Sequence, residues 1–118
     1  MQDKSCTFCK IIKGEISLEK IGESDKFIAI KDANPRVEGH SLIIPKNHYV
    51  TLLDIPNTWG EELLSFTKKI AGKIMDETGA DGFNIVMNNL EAAGQVVGHA
   101  HLHIFPRKDG DGKKLDLD

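Results

Sequence analysis

The segment His99-Ala-His-Leu-His-Ile-Phe105 places three of the chain's five histidines on alternate positions. A strand repeats its side-chain direction every two residues, so His99, His101 and His103 would project from one face while Ala100, Leu102 and Ile104 turn into a core. Such a row leaves two readings, a metal site or nucleophilic catalysis. Alternate strand positions lie about 6.5–7 Å apart, so two of these imidazoles can converge on one ion. All three span about 13 Å, too far to share one comfortably. The nucleophilic reading uses the spacing better. An imidazole titrating near ~6.5 offers a neutral, attacking nitrogen at neutral pH, while its neighbours fix its tautomer.

The rest of the chain supplies a frame for that strand. Phe8, Ile11 and Ile12 have helical spacing, and Gly14 closes a short helix. Ile16 to Glu23, Lys26 to Lys31 and Ser41 to Ile44 read as strands, with Asp32-Ala-Asn-Pro35 stopping the second. Trp59, Leu63, Phe66, Ile70 and Ile74 form one helical stripe that ends at Gly79. Thr58-Trp-Gly-Glu61 fits a capping box at its start. Glu61 and Glu62 lie early in it, and Lys68, Lys69 and Lys73 lie later, complementing the macrodipole. Phe83 to Asn88 reads as a strand beside the histidine strand, with a turn over Asn89 to Gly98. This order predicts an α+β fold: a mainly antiparallel sheet of about five strands with one long and one short helix. Residues 1–108 form one domain in this reading, and Asp109 to Asp118 a loose charged tail.

A net charge of −3 argues against nonspecific nucleic-acid binding, although small nucleotides remain open. No apolar run approaches a membrane span or a secretory signal, which points to the cytoplasm. The only cysteines, Cys6 and Cys9, are spaced C-x-x-C. A reducing compartment disfavours a structural disulfide, so they stand as a redox pair, half of a zinc site, or two ordinary thiols.

In combination, His99-x-His101-x-His103, Gly94-Gln95 ahead of it and Pro106-Arg107 behind it resemble the histidine triad (HIT) superfamily. The resemblance extends through Cys6-Thr-Phe-Cys9-Lys-Ile-Ile, Asp32 to Pro35, and Gly39-His-Ser-Leu-Ile-Ile-Pro-Lys-Asn-His48. It is nearest to small prokaryotic HIT proteins akin to the Hint purine-nucleoside phosphoramidases. The resemblance implies a HIT-like fold, with the sheet extended across a homodimer. It also implies a hydrolase acting at the α-phosphate of a purine nucleotide of AMP or GMP type, through a nucleotidyl-histidine and without a catalytic metal.

In that scheme His101 is the nucleophile, and His99 orients it through its main-chain carbonyl. His103 and His40 complete the hydrogen-bonded network. Asp32 accepts from the ribose hydroxyls, and Asn88 and Gln95 contact phosphate. Asp32 is also a good turn residue in Asp-Ala-Asn-Pro. Some relatives with an N-terminal C-x-x-C hold a structural zinc, and the matching ligands here are Cys6, Cys9, His48 and His99. Val96 stands where Hint-type enzymes commonly carry a serine or threonine that touches phosphate. Losing one such donor can cost on the order of 10²–10³ in rate. Rival readings are a dinucleoside-polyphosphate hydrolase or nucleotidyl transferase, a non-catalytic nucleotide-binding or interaction protein, and a metal-dependent hydrolase.

Overall fold

The computed structural model describes residues 5–113. Helix α1 (Thr7–Ile12) precedes three strands, β1 (Lys20–Glu23), β2 (Phe27–Lys31) and β3 (Ser41–Pro45). The long helix α2 (Gly60–Thr78) follows, then β4 (Gly82–Val86) and β5 (Leu102–Arg107). The five strands pair antiparallel in the order β1-β2-β3-β5-β4. The predicted α+β fold, with its five-stranded sheet and long helix, is thus observed.

The two helices pack against opposite faces of the sheet. Phe27 and Ala29 of β2, Ile43 of β3 and Ile104 of β5 pack with Phe66, Ile70 and Ile74 of α2. The intervening residues Ile28, Ile30, Leu42 and Ile44 pack with Phe8 and Ile11 of α1. Strands buried on both faces have no polar positions to alternate, which explains the continuous apolar runs of β2 and β3. The edge strand β4 is different: Phe83 and Ile85 stay exposed. Among the described residues no helix is long and apolar enough to cross a membrane.

Several boundaries differ from the sequence reading. The regular strand begins at Leu102, so His99 and His101 lie on the irregular segment that leads into it. The reason is pairing. Ala100 N–H donates to Tyr49 O instead of to the sheet ladder, and β3 meets β5 only from Leu102 onward. The alternation still holds, because Leu102 and Ile104 pack toward α2. The expected Thr58 capping box does not form. Asn57–Trp59 winds into a 3₁₀ turn, which removes the extended N-cap conformation that a capping side chain requires, and α2 starts at Gly60 without a side-chain cap. The box occurs instead at Thr51 and Asp54. Gly79 ends α2 in the left-handed conformation, as its sequence position predicts.

β1 is shorter than predicted, and β4 ends at Val86, leaving Asn88 in the following loop. Lys108 to Lys113 fold back in a turn fastened by Arg107 to both carboxylate oxygens of Asp111. The remainder of the expected tail, 114–118, lies outside the described residues.

Gly39 carries a sharper constraint. Its φ is +85°, and a Cβ there would come within 2.7 Å of Thr78 Cγ2 and 2.9 Å of the Pro106 ring. Combining left-handed strain with overpacking, Gly39→Ala should lose about 2–4 kcal/mol of stability, read from denaturant midpoints. A loss under about 1 kcal/mol would show that the turn before His40 relaxes freely.

Candidate functional site

The histidine segment meets α1, β3 and the loop after β2 in a cleft of about 510 Å³. Its walls include Phe8, Ile11, Leu18 and Leu42 on one side, and Asp32, Asn34 and Arg36 on another. Asn88, Gly94, Val96, Val97, His101 and His103 complete it. Phe8 stands edge-on to the rings of both His99 and His101, which fixes their planes.

Main-chain groups assign the tautomer of each ring (an imidazole nitrogen facing a carbonyl must carry the proton). His101 Nδ1–H donates to His99 O at 2.8 Å, which leaves Nε2 as the unprotonated nitrogen. His40 is set the opposite way. Its Nδ1 accepts from Arg36 N–H at 3.2 Å, so its Nε2–H donates to His103 Nδ1 at 2.9 Å, with Asp32 Oδ2 3.5 Å away. His103 therefore carries its proton on Nε2. The cleft then presents one imidazole lone pair on His101 and one imidazole donor on His103, whose rings lie 4.9 Å apart. The same proton positions disfavour a second metal site at Asp32, His40 and His103, although their ligand atoms cluster within 4.8 Å. The His40 nitrogen facing that cluster bears a proton.

Electrostatics keep the rings neutral. Burial pushes His103 down to about 4, helped by the neighbouring His101 and His40. Burial also lowers His101 and His40, with Asp32 opposing it in both.

A second cluster lies on the other side of the nucleophile segment. Cys6 Sγ and Cys9 Sγ are 3.3 and 3.6 Å from His99 Nδ1, and Cys9 Sγ is 3.3 Å from His48 Nδ1. The two Nδ1 atoms are 3.2 Å apart. A zinc tetrahedron with bonds of about 2.3 Å to sulfur and about 2.0 Å to nitrogen separates its donors by roughly 3.3–3.8 Å, so the four side chains fit zinc. His99 Nε2–H donates to Pro45 O at 2.8 Å, which turns the Nδ1 lone pair toward the cluster. With four protein donors the site is closed, which suits a structural ion.

The structure thus brings His101, His103, Asp32 and Asn88 to one cleft, with His40 buried and hydrogen-bonded to His103, and Cys6, Cys9, His48 and His99 to one cluster. Gln95 goes elsewhere. Its Oε1 accepts from Leu90 N–H, and its Nε2 donates to Val50 O and Val97 O, so its amide closes the loop and does not face the cleft. The physical reason is Leu90, whose φ of +74° and ψ of 163° suit glycine alone. Because Leu90 is more than half exposed, Leu90→Gly should release this strain and stabilise the fold by about 1 kcal/mol. A lower denaturant midpoint for that variant would contradict the reading. Sequence reasoning missed the apolar cleft wall and Arg36. Phe8 and Ile11 look like core positions of a helix, and only the nearness of Arg36 to Asp32 could have signalled it.

A family model described as the HIT domain matches residues 13–110. The chain is 48% identical over 106 residues to the adenylylsulfatase HINT3 of Arabidopsis thaliana, covering 90% of this chain and 54% of that protein, about half its length. It is 42% identical over 109 residues to the adenosine 5'-monophosphoramidase HNT1 of Candida albicans, covering 89% of this chain and 72% of that one. Among solved structures, a zinc-bound histidine triad family protein from Mycobacterium smegmatis superposes with a TM-score of 0.88 at 38% identity, covering 97% and 84% of the two chains. A match that runs from the end of α1, through the histidine segment, to the turn beyond β5 makes this chain a member of the HIT domain family.

Proposed function

We propose that this protein is a purine nucleotide hydrolase that cleaves a P–N bond, or a P–O bond, at the α-phosphate through a covalent nucleotidyl-His101 intermediate. The observation that carries the reading is the opposed pair of tautomers, an unprotonated nitrogen on His101 beside a protonated one on His103. The named activities of the related adenosine 5'-monophosphoramidase and adenylylsulfatase support the substrate class.

In the first step His101 Nε2 attacks phosphorus, a new P–N bond forms, and the bond to the leaving amine or oxygen breaks, an amine taking its proton from solvent. Water then attacks phosphorus in the adduct and loses a proton to solvent, the P–Nε2 bond breaks, and free His101 and the nucleoside monophosphate are returned. His103 Nε2–H donates to a non-bridging oxygen, where charge accumulates. Asp32 accepts from ribose hydroxyls, while Phe8, Ile11, Leu18 and Leu42 supply an apolar wall for the base. Asn88, which lines the same cleft, would contact the phosphate. Val96 brings no hydroxyl, but its backbone N–H makes no hydrogen bond among the described residues and can donate in its place.

Zinc bound by Cys6, Cys9, His48 and His99 would hold α1 against the histidine segment and supply stability rather than chemistry. We also infer a homodimer formed through β4, an unpaired edge strand carrying exposed Phe83 and Ile85. The test is mass spectrometry of the protein quenched during turnover of a panel containing adenosine 5'-phosphoramidate, aminoacyl adenylates and diadenosine polyphosphates. A nucleotidyl group on His101 is expected, and its position on any other residue would refute the mechanism.

A further inference from the structure

Past Arg36, at the Asp32 end of the cleft, lies a second recess of about 360 Å³. Val37, Thr78, Ala80, Pro106 and Lys113 contribute to its walls, and Arg36 is the one residue it shares with the cleft. The acids around it are already engaged. Glu38 lies 3.7 Å from Lys108, and Asp111 holds Arg107 at 2.9 and 3.0 Å. Arg36 and Lys113 have no acidic partner among the described residues, so the recess keeps two uncompensated cations. The Arg36 charge also reaches into the cleft. Burial is the chief cause that lowers His40 and His103, and the Arg36 cation adds to it in both.

On the reading of the cleft given above, Asp32 takes the ribose. A carboxylate accepts from a ribose hydroxyl and repels a phosphate at that position, whereas a guanidinium takes the phosphate through paired N–H donors. Here both groups occur four residues apart on one loop. Asn34 N–H donates to Asp32 Oδ1 at 2.8 Å and leaves Oδ2 for a hydroxyl. We propose that Arg36, with Lys113 behind it, forms a subsite for a second phosphate esterified to the ribose, so that nucleotides phosphorylated at the 2' or 3' position are preferred ligands. Asp32 then keeps the free hydroxyl, while Arg36 holds the phosphate on the other oxygen and directs it toward the recess.

Calorimetric binding of AMP, adenosine 2',5'-bisphosphate and adenosine 3',5'-bisphosphate tests this directly and identifies the position. One bisphosphate should bind about tenfold more tightly than AMP, an advantage that shrinks as salt screens an exposed site. In Arg36→Ala the ratio should fall to about one, and Arg36→Lys should restore part of it. Lys68→Ala, on the exposed face of α2, should keep the wild-type ratio. The subsite is overturned if AMP binds and neither bisphosphate does better, if the ratio survives Arg36→Ala, or if Lys68→Ala abolishes it equally. Failure of AMP itself to bind would refute both this proposal and the nucleotide reading beneath it.

Discussion

His101→Ala and His101→Asn are expected to lower turnover of adenosine 5'-phosphoramidate by a factor on the order of 10⁴–10⁶. The imidazoles of the cleft have roles that cannot be shared. His101 is the one cleft imidazole whose cleft-facing nitrogen is unprotonated, because its other nitrogen is fixed on the His99 carbonyl. His103 offers a proton there, and His40 spends its own on His103. With the nucleophile gone, only direct attack by water remains, assisted by whatever donors still hold the phosphate. Asparagine is the more informative variant, since its amide can keep a bond to the His99 carbonyl and preserve packing against Phe8. Nucleotide binding should therefore persist within about tenfold while the covalent adduct disappears. Turnover within tenfold of the parent protein in either variant would end the covalent mechanism.

The second large effect concerns stability. Zinc-loaded protein should melt about 10–15 °C above the chelated form, corresponding to a loss of roughly 3 kcal/mol on metal removal. Without an ion, two thiols and two imidazole nitrogens remain packed together in a region where burial already raises the Cys6 thiol above its ordinary value. A divalent cation reverses that penalty by favouring the thiolates and accepting both lone pairs. Cys9→Ser should reproduce the loss, because Cys9 is fully buried and contacts both His48 and His99. Metal analysis should give one zinc per chain for the parent protein. Equal melting temperatures with and without metal would show that the cluster is held by packing alone.

The sequence disclosed the frame well, for a physical reason. Strand and helix periods depend on which residues are apolar, and the stripe Trp59, Leu63, Phe66, Ile70 and Ile74 leaves one solution for α2. The capping box misled because Thr58, a sound N-cap in isolation, is wound into a preceding turn by its neighbours. His99 and His101 show the limit of periodicity. Their side chains alternate as in a strand, yet the backbone there bonds to Tyr49 rather than to the ladder.

Site residues were legible in proportion to how much of their chemistry is local. Histidine spacing and the C-x-x-C pair are local signals, and both led to residues that converge. Gln95 was misplaced because the need it meets, restraint of a strained Leu90, involves backbone torsions that residue letters do not encode. Arg36 stayed hidden because its interest comes from the lack of an acidic partner among the described residues, which only three-dimensional neighbours reveal.

Burial of β2 and β3 on both faces has a consequence for anyone redesigning this protein. Most of the middle of the sheet has no surface to edit, since a change of volume at Ala29 or Ile43 meets α2, whereas Leu42 packs on the α1 side and also borders the cleft. Freedom to alter ligand choice without disturbing the core is therefore greatest at the rim, in the loops bearing Arg36, Asn88 and Val96. New specificities can be grafted there while the two inner strands stay untouched.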